Sequence, residues 1–294
     1  MCGIFAYIGT DNINTKHHND IQKRGPDNTT LTQLSHNLWF CFHRLMINDL
    51  SNAGNQPFHI GDISLMCNGE IYNSHLLKQQ FNDITFQSFS DCEVLIHLYN
   101  KYGFDKMLSL LDGVFSITLY DKKTNTLWIG RDPFGVRPLF IAKSHNDFEF
   151  ASELKAISPS FNTIQFPPGH SLFINLSTFS SSYNKYFNIS FDSVSSLSDI
   201  NISLVDSVKK RLMSDRPIGC LLSGGLDSSL VSSIVSRELK KINSSFILNT
   251  FSIGFADSTD LKYAKLVADY IGSNHHEVLL SEQDFLDAIV PVIK

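Results

Sequence analysis

Directly behind the initiator methionine stands a cysteine, in Met1-Cys2-Gly3-Ile4-Phe5. Removing the methionine would put a thiol and a free α-amine on one residue. The amine has an ordinary pKa of about 7.7–8.0, so near neutral pH it can take the thiol's proton. Nucleophile and base on one residue is the logic of a hydrolase that works from its own N-terminus. Alone, such a cysteine is more often an inert small hydrophobe, so the other chemical residues of the chain carry the decision.

Four further groups precede residue 100. Arg24-Gly25-Pro26-Asp27 is turn chemistry, in which Arg24 is readable as a mere turn residue. His43-Arg44 interrupts the mostly apolar run from Leu38 to Asn48. A cation there either snorkels from a strand edge or clamps a carboxylate, because an unpaired buried charge is costly. Asn68-Gly69-Glu70-Ile71-Tyr72-Asn73 follows a short strand, Ile63 to Cys67. Its Asn-Gly is either a hairpin turn or an oxyanion hole made by the Asn68 amide and the Gly69 N–H. Ser90-Asp91-Cys92-Glu93 has capping-box spacing ahead of the apolar positions Val94, Leu95, Leu98 and Tyr99. Asp91 then falls in a first helical turn, where the dipole keeps it ionised, although Asp is common there without any function.

A different chemistry begins at residue 218. The apolar strand Ile218 to Leu222 leads into Ser223-Gly224-Gly225-Leu226-Asp227-Ser228-Ser229 and then a helix to about Lys240. Strand, glycine-rich turn and helix make an anion cradle, in which backbone N–H groups and the helix N-terminus face a phosphate or pyrophosphate. Ser223, Ser228 and Ser229 add donors, and Asp227 can hold an accompanying Mg²⁺. The Lys-Ser/Thr ending of a Walker A loop is absent. The bland alternative is a turn that merely closes a strand–helix corner.

The elements that must hold these groups fall into two patterns. Residues 3–9 read as a buried strand, and Gly113 to Phe150 as an antiparallel meander punctuated at Asp121 to Asn125 and Asp132-Pro133-Phe134-Gly135. Ser152 to Lys155 starts a short helix, and Pro167-Pro168-Gly169 a tight loop. Ser177 to Ser198, rich in serine and asparagine, reads as a linker. Beyond it helices (Ile200 to Met213, Leu261 to Ile271, and one from Glu282) alternate with strands (Phe246 to Phe255, His276 to Leu280), which implies βαβ units and a parallel sheet.

Composition narrows the classes. The chain of 294 residues has room for two domains. A net charge of −5 without a basic cluster argues against nucleic acid or an anionic membrane as partner, and no apolar run is long enough to span a bilayer. The N-terminus lacks the basic region of a secretory signal. Five scattered cysteines, with no zinc-ligand or redox spacing, fit a reducing, cytoplasmic setting. His17-His18 and His275-His276 read as solvated surface.

Together, Cys2 to Phe5, Arg24 to Asp27, Asn68 to Asn73, Ser90-Asp91 and Gly130-Arg131-Asp132-Pro133-Phe134-Gly135 resemble the class II glutamine amidotransferase domain. Ser223 to Ser229 looks like the pyrophosphate loop of the ATP pyrophosphatase superfamily. The two in this order are similar to glutamine-hydrolysing asparagine synthetases. That resemblance implies an α+β N-terminal-nucleophile hydrolase, an αββα sandwich, over residues 1–190. It implies a truncated α/β doubly wound parallel-sheet domain over 191–294. Cys2 would attack glutamine, with Asn68 and Gly69 holding the oxyanion. Arg44 would take the α-carboxylate of glutamine, Glu70 and Asp91 its α-ammonium, and Arg24 would order the loop beside Cys2. ATP, with Mg²⁺ at Asp227, would meet Leu222, Ser223, Gly224, Gly225, Asp227, Ser228, Ser229 and Ile253, and activate aspartate for amidation. Glutamine, aspartate and ATP are the small-molecule partners implied; a homodimer is compatible with this reading.

The chain departs from that family at its end. It stops at Lys294 within a βα alternation, after three sheet strands, and lacks the second acidic motif of the synthetase domain. A central strand would then be left as an open, apolar edge. The alternative to a synthetase whose remainder lies elsewhere is a glutaminase alone, or a non-catalytic remnant with a vestigial nucleotide site. The intact Ser223 to Ser229 loop favours the synthetase. A β-lactam synthetase, which shares the architecture, is disfavoured by the unbroken glutaminase residues.

Overall fold

The structure, a computed structural model, describes residues 1–144, 147–191 and 194–293. The chain divides into two compact units, Met1–Asp192 and Ser193–Lys294. Parts of the expected meander (145 and 146) and linker (192 and 193), and the final residue, lie outside the described residues.

Among the described residues, twelve strands build the first unit: β1 Gly3–Ile8, β2 Asn28–Ser35, β3 Leu38–Arg44, β4 Phe58–Ile60, β5 Ile63–Ile71, β6 Gly113–Asp121, β7 Thr126–Arg131, β8 Phe140–Ser144, β9 Asp147–Ala151, β10 Asn162–Gln165, β11 His170–Asn175 and β12 Ser181–Lys185. They form two six-stranded antiparallel sheets, ordered β10-β8-β9-β1-β3-β2 and β12-β11-β7-β6-β5-β4. Alternation along β1 shows how they stack. Ile4, Ala6 and Ile8 enter the core between the sheets with Phe40, Phe42, Met66, Leu127 and Ile129. Phe5 and Tyr7 point the other way, onto Ile21 and Ala156 of the 3₁₀ segments His18–Arg24 and Leu154–Ala156, which cover that sheet. The outer face of the second sheet carries Leu65, Cys67, Ile117 and Leu119. These pack under α2 (Val94–Tyr102) and α3 (Phe104–Leu110), which follow the short α1 (Ser74–Lys78). Both sheets are thus covered on both faces, so a strand such as β1 is buried along its whole length.

Five expectations need correction. His17-His18 and His275-His276 are not simply solvated surface: His18 is buried against Phe5, and the His275 ring is buried against Thr250 and Ser252. The Asn68-Gly69 pair makes no hairpin turn, because β5 runs through it to Ile71, paired with β6. The predicted single meander is split: β6 and β7 belong to one sheet, β8 and β9 to the other. The capping box at Ser90–Glu93 does not form. The Glu93 carboxylate instead accepts from Gln87 N, Ser88 N and Ser88 Oγ at 2.5–2.7 Å. The linker is shorter than expected, since β12 lies inside it as an exposed polar edge strand on β11.

The change of sheet after β7 rests on one buried carboxylate. Asp132 accepts backbone N–H bonds from Phe115 (3.3 Å), Phe134 (3.1 Å), Val136 (2.9 Å) and Arg137 (3.0 Å). The neighbouring Arg131 guanidinium donates to the carbonyls of Gly135, Arg137 and Phe166.

The second unit opens with α4 (Leu197–Lys209), started by a genuine capping box of Ser196 and Asp199. β13 (Gly219–Leu221), α5 (Leu226–Ile242), β14 (Asn249–Gly254), α6 (Thr259–Ile271) and β15 (Asn274–Leu279) follow, then α7 (Glu282–Ile293). The strands form a parallel sheet in the order β13-β14-β15. Leu221, Phe251 and Ile253 stand exposed on one of its faces.

Replacing Asp132 by Ala strands four backbone donors, three of them in one turn. Such a change should cost roughly 2–4 kcal/mol. Urea denaturation of the two proteins measures it; a difference below about 0.5 kcal/mol would show that the turn holds itself.

Candidate active site

β1 begins one residue after Cys2, and β5 runs close by; a cavity of about 250 Å³ lies where they meet, lined by Cys2, Arg44, Asn68, Gly69, Glu70 and Asp91 among others. The first unit therefore brings together every glutaminase residue expected from sequence except Arg24, which stands just behind. Arg24 Nε donates to the Cys2 carbonyl at 2.9 Å, and its Nη1 pairs with Glu153 at 2.7 Å. Thus Arg24 fixes the backbone of the nucleophile candidate without lining the cavity.

The Cys2 thiol lies 3.4 Å from the Leu45 N–H and 3.6 Å from the Leu45 carbonyl. Burial pushes its pKa up, against the Leu45 hydrogen bond, so the thiol rests protonated and needs a base. Burial also lowers the pKa of the N-terminal amine, here on Met1, which favours its neutral form.

Strand pairing explains the Asn68-Gly69 pair. Opposite Gly69 stands Phe115, whose N–H and C=O are both spent on Asp132, on the β7 side of β6. In an antiparallel ladder this makes Gly69–Phe115 a non-hydrogen-bonded pair, so the Gly69 N–H points away from β6. Its same-parity neighbours on that edge are capped by side chains. Gln56 binds Cys67 through both N–H (2.6 Å) and C=O (3.3 Å), and Asp91 Oδ2 accepts from Ile71 N at 2.7 Å. Between these two caps the Gly69 N–H faces the cavity. A side chain at 69 is barred, since a Cβ would sit 2.4 Å from the Val114 carbonyl and 2.7 Å from Phe115 Cα. Beside it the Asn68 Nδ2 is buried and meets no acceptor among the described residues. A buried amide without a partner is costly, and two donors converging on one cavity are what a developing oxyanion requires.

Charged groups surround this point. Arg44 is buried, donating to Ser51 O and Asn55 Oδ1 at 2.7 Å each and to the Asp49 carbonyl. It is therefore a fixed cation and does not snorkel to solvent. Glu70 faces Arg137, with Oε1 and Nη2 3.6 Å apart. Asp91 is not held ionised by a helix dipole. It lies in the turn before α2, and burial raises its pKa against the bonds from Ile71 and Asn48. Gln56, Asn48 and Arg137 also line the cavity. Sequence reasoning missed them, because a polar residue in a loop or turn gives no periodic signal.

In the second unit Ser223 to Ser229 joins β13 to α5. Gly224 has φ +80°, and an added Cβ there would lie 2.5 Å from Ala264 N. Ser223 Oγ and Ser228 Oγ are 2.9 Å apart, while Ser229 Oγ is buried with no partner among the described residues. Asp227 is exposed in the first turn of α5. Leu222 is buried on Ala264 and Ala268, whereas Ile253 is exposed. Among the described residues no group of three or more His, Cys, Asp or Glu could hold a metal ion.

Residues 1–202 match the family model of the glutamine amidotransferase domain. The chain belongs to the glutamine amidotransferase family. Residues 199–294 match the model of asparagine synthase. Over its whole length the chain is 37% identical to asparagine synthetase [glutamine-hydrolyzing] of Mus musculus and 36% identical to that of Homo sapiens. It spans 58% of the length of each. A glutamine phosphoribosylpyrophosphate amidotransferase from B. subtilis, 18% identical, shares the fold with a TM-score of 0.55, covering 98% of this chain and 70% of that one. No helix among the described residues is long and apolar enough to cross a membrane.

Replacing Asp91 by Asn keeps an oxygen for the Ile71 N–H and removes the buried charge. Because the folded state raises the Asp91 pKa, it binds the proton more tightly than the unfolded chain. Wild-type stability is then lost as pH rises above the ordinary carboxylate range. Asp91→Asn should therefore gain stability relative to the wild type as pH rises from the ordinary carboxylate range, by urea denaturation at a series of pH values. A difference that stays flat with pH would contradict the raised pKa.

Proposed function

We propose that this chain carries the glutamine-hydrolysing part of an asparagine synthetase together with the first part of its ATP-using domain, divided at residues 190 and 191. The observation that carries the reading is the unpartnered Asn68 amide beside the outward Gly69 N–H on the cavity that holds Cys2. The match to asparagine synthase over 199–294 and the likeness to whole asparagine synthetases support the ligase reading over a glutaminase alone.

Once Met1 is removed, the α-amine resides on Cys2 and takes the thiol proton as sulfur attacks the carboxamide carbon of glutamine. The tetrahedral oxyanion is received by Asn68 Nδ2 and the Gly69 N–H. The proton passes to the leaving nitrogen, ammonia departs, and water hydrolyses the thioester to glutamate. Arg44, held rigid by three acceptors, pairs with the α-carboxylate of the substrate, while Glu70 and Asp91 take its α-ammonium. Arg24 keeps the Cys2 carbonyl, and so the thiol, in place.

In the second unit ATP activates the β-carboxylate of aspartate, pyrophosphate leaves, and ammonia displaces AMP. Ser223, Gly224, Gly225, Ser228 and Ser229 would cradle the pyrophosphate, Leu222 and Ile253 would flank the adenine, and Asp227 would hold Mg²⁺, which neutralises phosphate charge. Cytoplasmic placement and a homodimer fit the same reading.

Glutamate release from glutamine tests it. Asn68→Ala should lower kcat about 10²–10³-fold with little change in KM, and Cys2→Ala should abolish turnover. Glutaminase activity that survives Cys2→Ala, or a mature protein that retains Met1 and still turns over glutamine, would sink the mechanism.

A further inference from the structure

Arg137 is a cation on the cavity that the mechanism above does not use. It reaches the cavity from the turn between β7 and β8, and that turn is held with unusual redundancy. Its N–H binds Asp132 at 3.0 Å, and its carbonyl accepts from Arg131 Nε at 2.8 Å and from Ser116 Oγ at 3.4 Å. Asp132 and Arg131, the mounts, are themselves almost wholly buried. From this fixed origin the side chain, 13% exposed, extends over the N-terminus. Nη2 lies 3.6 Å from Glu70 Oε1, Nη1 contacts the Met1 thioether, and Nε–H is buried with no acceptor among the described residues.

We propose that Arg137 is a positioning residue for the amino-acid end of the amide substrate. Its guanidinium holds the Glu70 carboxylate at the cavity wall, in place to receive the substrate α-ammonium. This rests on the amidotransferase reading of the same cavity. At 3.6 Å the pair has ion-pair rather than short hydrogen-bond spacing, so Glu70 is oriented without being saturated by Arg137. A rigid mount matters here. An arginine on a flexible loop would draw Glu70 outward and cost the order that substrate binding needs, whereas one anchored at both N–H and C=O fixes the carboxylate before substrate arrives. Cation repulsion between Arg137 and the ammonium works against this role, so the sign of the effect decides the matter.

The test measures glutamate release from glutamine by the full chain and by Arg137→Gln, Arg137→Lys, Glu70→Gln and the Arg137→Gln/Glu70→Gln double variant. Arg137→Gln is expected to raise KM about five-fold, with kcat within about two-fold of wild type. Arg137→Lys should recover part of that loss. In the Glu70→Gln background, Arg137→Gln should add almost nothing, because the two act as one unit. Wild-type turnover with a KM unmoved or lowered in Arg137→Gln overturns the proposal alone, as do additive effects in the double variant. If Arg137→Gln does not fold by thermal melting, Arg137→Lys decides by the same KM comparison. A wild-type protein inactive on glutamine after Met1 removal overturns the amidotransferase reading, and this inference with it.

Discussion

An antiparallel strand must account for every backbone N–H and C=O on both of its edges. Strand β5 meets that requirement on one edge with β6, and on the other with β4 only as far as Leu65. Beyond Leu65, side chains take over. Gln56 stands in for a strand at Cys67, and Asp91 does so at Ile71. Gly69, midway between them, is what these substitutes leave uncovered. The site is thus a controlled gap in a ladder: the end of β4 sets where the edge opens, and the close approach of Val114 and Phe115 on β6 sets the need for glycine. The same accounting gives Asp91 two tasks, closing the strand edge and supplying a carboxylate to the cavity, and its raised pKa reflects the burial that the first task imposes.

Around this gap the charges are held by backbone groups more than by opposite charges. Arg44 donates to main-chain carbonyls, Asp49 accepts from Ser51 and Phe89, Asp132 gathers four N–H groups, and Arg131 three carbonyls. Buried ions satisfied in this way do not reorient when a charged ligand arrives, because their partners are fixed by the sheets. The arrangement is costly in desolvation but gives pre-organised electrostatics, the condition under which an oxyanion is stabilised without rearrangement at the moment of reaction.

Much of this was legible in the sequence because the chemistry-bearing residues come in short contiguous words. Cys2-Gly3 opens a strand, Asn68-Gly69-Glu70 lies within one and the Ser223 to Ser229 loop follows one, while apolar runs marked β1, β3 and β5 and alternation marked β6 and β7. What was not legible depends on long-range partners. That Asn68-Gly69 continues a strand is decided by Phe115 and Val114, which sequence distance hides. β12 is made of Ser, Tyr, Asn and Lys and exists through backbone pairing with β11. The spacing of Ser90 to Glu93 fits a capping box, yet Glu93 is claimed by the loop at Gln87 and Ser88. The genuine box, Ser196 to Asp199, starts inside the serine-rich stretch whose composition reads as linker and ends just beyond it.

The contact between Gly224 and helix α6 has a kinetic side. The glycine-rich turn looks self-contained in sequence, a strand end and a helix start joined by a few residues. Its left-handed Gly224 is nevertheless pressed against Tyr263 and Ala264, and Leu222 is buried beneath the same helix. The cradle is therefore a non-local structure. During synthesis the signature residues emerge well before the helix that shapes them, and loop closure over that stretch must precede the final shape of the turn. Until α6 docks, the motif is present as letters only, and the turn takes its shape together with the surrounding sheet.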